Sequence, residues 1–193
     1  MDKIKTAIKE SIAAKERILN DDKLIATLDS VVELAVKAYK NGNKILAAGN
    51  GGSAADAQHF AAEYVGRFYY DRPSLPAIAL TTDTSILTAI GNDYGYDQIF
   101  SRQIEGNSIK GDIFFAISTS GNSPSIINAI NTAKKKGVAV VGLTGANPSK
   151  MDNICDYLFK IPSDDTPRIQ EGHALIEHII CQLVEERLFP KPA

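Results

Sequence analysis

Five short apolar runs do most to constrain this chain: Ile45–Ala48, Ala77–Leu80, Ile113–Ile117, Val138–Leu143 and Tyr157–Ile161. Several lack the in-out polar alternation of a sheet with one wet face, so they read as strands buried on both sides. Polar or helically patterned stretches separate them, and strands that alternate with helices build a parallel sheet. Ahead of the first run, Ile4, Ile8 and Ile12, then Leu24, Leu28, Val31, Val32, Ala35 and Tyr39, keep helical spacing with a break near Asn20-Asp21-Asp22. This predicts two N-terminal helices over 1–41, an α/β core over 42–193, and a closing helix over Thr166–Phe189. The expected fold is one domain over 1–193, a three-layer α/β/α sandwich with a central parallel sheet. No solenoid-period repeat, low-complexity tract or linker argues for a second unit.

Composition excludes some functions. With 21 Lys and Arg against 23 Asp and Glu, the net charge of −2 gives no basis for a nucleic-acid partner, but leaves small anions open. Cys155 and Cys181 form no C-x-x-C motif, which fits a reducing compartment. The N-terminus shows no long apolar stretch, so neither a signal peptide nor a membrane span is expected, and the expected location is the cytoplasm.

In open parallel sheets, ligands gather at the carboxyl ends of the strands. The first run leads into Gly49-Asn50-Gly51-Gly52-Ser53, with Ser53 expected as N-cap of an Ala-rich helix. Gly49, Gly51 and Ala54 also fit the dinucleotide spacing G-x-G-x-x-A, yet the next acidic residue at a strand end is Asp83, later than the usual ~20 residues. A tight glycine turn accounts for the loop without a ligand. The third run leads into Ser118-Thr119-Ser120-Gly121-Asn122-Ser123, with Pro124 at a helical first position: hydroxyls and helix N–H groups suited to a phosphate, or else a polar loop with a Ser123 cap. His59 and Glu63, spaced i, i+4, share one helix face and could bind one metal, although such a pair alone is commonly only a surface contact. His178 lies in the apolar run Ile176–Ile180, where a histidine is usually a hydrogen-bonded core residue.

Four ordered motifs carry a resemblance. Gly49 through His59, Gly91-Asn92-Asp93-Tyr94-Gly95, Ser118 through Ser123, and Thr166 through Gln170-Glu171 followed by His178 resemble the phosphoheptose isomerases of the sugar isomerase (SIS) domain family. The resemblance spans nearly the whole chain. It implies a flavodoxin-like fold, a homotetramer with active sites between subunits, and one Zn²⁺ per subunit held by His59, Glu63, Gln170 and His178. It also implies sugar-phosphate contacts from Asn50, Gly51, Gly52, Ser53, Asn92, Asp93, Ser118, Thr119, Ser120, Ser123 and Gln170, with His59 and Glu63 at the same substrate and Arg67 reaching in from a neighbouring subunit. The implied reaction is aldose–ketose isomerisation of sedoheptulose 7-phosphate, the first step towards nucleotide-activated heptose, with Glu63 and His178 as acid/base groups. Pro167 stands where some relatives carry an acid, so no role for that acid is transferred. Two rivals share the fold: a non-catalytic paralogue that binds a replication initiator, and a sugar-phosphate-sensing regulatory domain. Neither needs the metal set. One geometric difficulty follows: on one helix, Gln170 and His178 would be separated by a rise of about 12 Å, so either the helix starts after Gln170 or the two residues serve sites on different subunits.

Overall fold

In the computed structural model, which describes residues 2–191, the chain forms five strands and seven α-helices; Met1, Pro192 and Ala193, the ends of the expected 1–193 domain, lie outside the described residues. Helices α1 (Asp2–Leu19) and α2 (Asp22–Lys40) meet at the expected break, where the Asp21 carboxylate accepts from the Leu24 amide at 3.0 Å and caps α2. Then follow β1 (Ile45–Gly49), α3 (Gly52–Val65), β2 (Ala77–Ala79), α4 (Thr84–Tyr94), α5 (Ser101–Asn107), β3 (Ile113–Ile117), α6 (Pro124–Lys135), β4 (Ala139–Thr144), β5 (Tyr157–Lys160) and α7 (Thr166–Leu188).

All strand pairings are parallel, in the order β2-β1-β3-β4-β5. Every residue of β1 and β3 is buried, which explains the absence of polar alternation in those runs. Alternate residues serve two cores. Ile45, Ala47, Phe115, Val141 and Phe159 pack with α2, α3 and α7, through Val32, Phe60 and Ile180 among others. Leu46, Ala48, Phe114 and Val140 pack on the opposite face with α5 and α6, through Ile104, Ile126 and Ile130. Full burial of one such side chain contributes about 1.5–3 kcal/mol. Strand order reverses its direction of growth between β1 and β3, and ligands bind at such a point because the two following loops diverge there to opposite faces. The glycine loop and the Ser/Thr loop are the loops that follow these two strands.

Candidate active site

The helix after β1 starts two residues earlier than expected. Gly51, not Ser53, is the N-cap of α3; its φ of +57° is in the region that favours glycine, and Ser53 is buried inside the first turn. Backbone geometry, rather than a capping hydroxyl, ends the strand here. Neither α3 nor α6 has a side-chain bond at its N-cap; the first-turn amides of Ser53, Ala54 and Ile126 instead donate to the backbone carbonyls of Asn50, Gly51 and Ser123. At Ser123, the expected cap of α6, the hydroxyl lies 3.1 Å from Ser118 Oγ instead. Ser120 Oγ accepts from the Asn122 amide at 3.2 Å, and Asn122 Oδ1 accepts from the Lys150 amide at 3.0 Å. Thr119 holds its place by its carbonyl, which accepts from the Gly145 amide at 3.0 Å.

The loops are joined through Asn50. Its Nδ2 donates to Ser125 Oγ at 3.0 Å, and its Oδ1 accepts from the Tyr96 hydroxyl at 2.9 Å. Each end of the Asn50 carboxamide thus has one protein partner, with a second N–H and a second lone pair left over. Gln170 lies on α7, which begins at Thr166 and carries Gln170 and His178 together; the helix does not start after Gln170. The Gln170 carboxamide rests on the bare Cα of Gly52, where any Cβ would run into it.

Two turns further along the same helices, His59 and Glu63 of α3 meet His178 of α7. His59 Nε2 lies 2.9 Å from Glu63 Oε1 and 3.4 Å from His178 Nε2, and one ligand atom from each residue lies within 4.8 Å of the other two. The imidazoles meet edge to face, with ring centroids 4.9 Å apart. Two imidazole nitrogens and a carboxylate oxygen converging at these distances suit a divalent cation. His178 is only half-buried, contrary to the expectation of a core histidine; the buried histidine of this segment is His173. Five residues turn a helix by about 140° past a full turn, so the two rings leave α7 on different sides. His173 lies 3.3 Å from the Thr144 carbonyl through Nε2, and its Nδ1 has no partner among the described residues. Burial lowers its pKa from 6.5 to about 4, against the opposing pull of that carbonyl.

Two carboxyls behind the triad escaped the sequence reading. Asp56 Oδ2 and Glu177 Oε1 are buried without partners among the described residues. Burial raises both, Glu177 well above its ordinary value; the Asp56 charge adds to the effect on Glu177, while His59 opposes it at Asp56. Their signal was visible as an acid one turn before His59 and another beside His178. Asn92 and Asp93, at the end of α4, are exposed and bonded to each other at 2.8 Å; Asp93 faces a cleft with Ile86, Ile90 and Arg102 rather than the triad. Arg67 is exposed, and its guanidinium donates to the Tyr69 carbonyl at 3.5 Å.

Comparison with known proteins agrees with this architecture. The profile of the SIS domain family matches residues 8–145. The chain is 61% identical over 188 residues to the phosphoheptose isomerase of Aneurinibacillus thermoaerophilus, covering 97% of this chain and 95% of the relative. It is 57% identical to phosphoheptose isomerase 2 of Campylobacter jejuni subsp. jejuni, covering 97% and 94%. Among solved structures, the phosphoheptose isomerase of Neisseria gonorrhoeae superposes with a TM-score of 0.90 at 42% identity, over 96% of this chain and 98% of that one. Full-length identity of this order, with the SIS-domain match and a common fold, places the chain in the SIS domain family, among the phosphoheptose isomerases.

Proposed function

We propose that the chain interconverts sedoheptulose 7-phosphate and D-glycero-D-manno-heptose 7-phosphate, and that His59, Glu63 and His178 hold one Zn²⁺ per subunit. The observation that carries this reading is the convergence of the three side chains, from two helices, on one point, two turns along α3 from the glycine loop at the sheet's switch point. When bound, the metal supplies a Lewis acid for negative charge on the sugar oxygens. The protein supplies the proton transfers. Isomerisation moves one proton from C1 to C2 and another from O1 to O2, through an enediolate. Glu63 has two oxygens: Oε1 faces the imidazoles, which leaves Oε2 to take the C1 proton and return it at C2. His178 turns Nε2 to the triad, so its Nδ1 would give a proton to O2 and take one back from O1.

The phosphate sits on the Ser118–Ser123 loop and the first turn of α6, where hydroxyls and N–H groups need no cation to bind it. Gly51, Gly52 and Ser53 line the sugar with backbone, and Gln170 approaches across Gly52. Gln170 belongs to the substrate side of its own chain's site; as a metal ligand it would serve a site completed by another subunit. A tetramer with shared sites would also bring Asn92, Asp93 and Arg67, apart from the triad in one chain, into use. The exposed stripe Ile4, Ile8 and Ile12 on α1, and α4 with no buried residue, support such contacts between copies. No helix is long and apolar enough to cross a membrane, and we place the enzyme in the cytoplasm, making heptose for lipopolysaccharide or another glycan. Full-length similarity to isomerases does not favour a replication-initiator-binding paralogue or a sensor domain.

The experiment is incubation of purified, zinc-loaded protein with sedoheptulose 7-phosphate, read by NMR. Appearance of the aldose 7-phosphate supports the proposal. Its absence, with the protein folded and the metal bound, refutes it.

A further inference from the structure

A buried ion pair stands directly behind the metal triad. The carbonyls in the last turn of α3 lack helical partners, and Arg72, its side chain 2% exposed, supplies them: Nη2 donates to the Glu63 carbonyl at 2.8 Å and Nη1 to the Tyr64 carbonyl at 2.7 Å. Its Nε donates to Glu185 Oε2 at 3.0 Å, and Glu185 is 1% exposed. The same carboxylate accepts from the amide of Phe68 at 2.8 Å and of Tyr69 at 2.7 Å. These bonds reach two of the three proposed ligands. Glu63 is held by its own carbonyl. The ring of Phe68, whose amide Glu185 fixes, lies against His178 with centroids 5.7 Å apart. Glu185 is also seven residues from His178, two turns along the same stripe of α7. A buried ion pair is a poor device for stability alone, because desolvation offsets its attraction. It is a good device for fixing the distance between two helices at one point, since a planar guanidinium imposes direction on every bond.

We infer that Arg72 and Glu185 are positioning residues for a divalent cation at His59, Glu63 and His178, locking the end of α3 to α7 so that the three ligand atoms converge. The inference rests on the metal reading above. The test uses Co²⁺ as the probe in the purified full chain, with affinity read from the visible absorption of the bound ion and unfolding followed on the same samples. Arg72→Lys keeps the charge and loses the fork; Glu185→Gln keeps acceptor oxygen for the amides and loses the charge. Each is expected to weaken Co²⁺ binding by about 10–100-fold while folded, the range typical of groups that orient metal ligands. Tyr70→Phe removes the bond from the Tyr70 hydroxyl to the Phe189 carbonyl, 2.8 Å long in the same loop, and should leave affinity within about twofold whatever it does to stability. If one charge-pair variant fails to fold, the other decides, with Glu185→Asp as a further folded alternative. Variants that unfold at lower temperature yet bind Co²⁺ like the wild type would make the pair merely structural and overturn the inference. A wild type that binds no Co²⁺ would instead remove the metal reading itself, and the inference with it.

Discussion

His173 and His178 lie five residues apart on α7 and have different fates. One is sealed against the Thr144 carbonyl, the other is turned to His59. A carbonyl only accepts, so His173 is the neutral tautomer with its proton on Nε2, and its chemistry is that of stability. Below pH 6.5 the unfolded chain protonates this imidazole while the folded chain does so only near pH 4. The unfolded state therefore binds more protons across that window, and stability falls as pH falls through it, by on the order of 3 kcal/mol in all. Urea unfolding at pH 7 and pH 5 should show a smaller loss in His173→Gln than in the wild type; equal losses would remove this role. Gly52 makes a second residue-scale prediction. Gly52→Ala puts a methyl where the Gln170 carboxamide rests, and that carboxamide is the end of a flexible side chain, so it moves at little cost. The expected variant has a raised KM for the sugar phosphate, with an unfolding midpoint within a few degrees of the wild type. An unchanged KM would separate Gln170 from the substrate.

At the scale of elements, the parallel arrangement of α3 and α7 decides what the site can be. Gly52 faces Gln170 at one end of the pair, and His59 and Glu63 meet His178 about two turns later, so the proposed substrate and metal contacts would be spaced along one seam. Strands β1, β3 and β4 were legible in the sequence because burial on both faces leaves an uninterrupted apolar run, and β3 keeps the expected bounds of Ile113–Ile117. The start of α3 was less so, because a positive φ at Gly51 ends the loop two residues before the expected serine cap at Ser53. The partnership of Arg72 with Glu185 was not legible at all: 113 residues separate them, and only the tertiary fold reveals that both are buried. The Ser118–Ser123 loop makes this scale's prediction. A phosphate remote from C1 is held alike in ground and transition states, so Ser120→Ala should raise KM several-fold and leave kcat within about twofold. A loss confined to kcat would move the phosphate elsewhere.

For the whole molecule, one chain brings together three side chains that could hold a metal, and both loops, while Asn92, Asp93 and Arg67 remain outside that cluster. His59, Glu63 and His178 were readable as candidates from motif spacing and resemblance, but their convergence was not, because it depends on the packing of α3 against α7; in the proposed assembly another copy would bring Asn92, Asp93 and Arg67 to the site. Analytical ultracentrifugation should therefore find an assembly under assay conditions, and a fully active monomer would contradict the shared-site proposal. The central claim is proton transfer at the triad, and His178→Asn tests it most directly, because His178 is half-exposed and its loss opens no core cavity. Turnover of sedoheptulose 7-phosphate is followed by NMR on wild type and variant samples matched for fold, oligomeric state and zinc content. The matched variant is expected to lose at least ~100-fold in kcat, the lower end of acid/base contributions; near-normal turnover in a matched variant would move the proton transfer to another group.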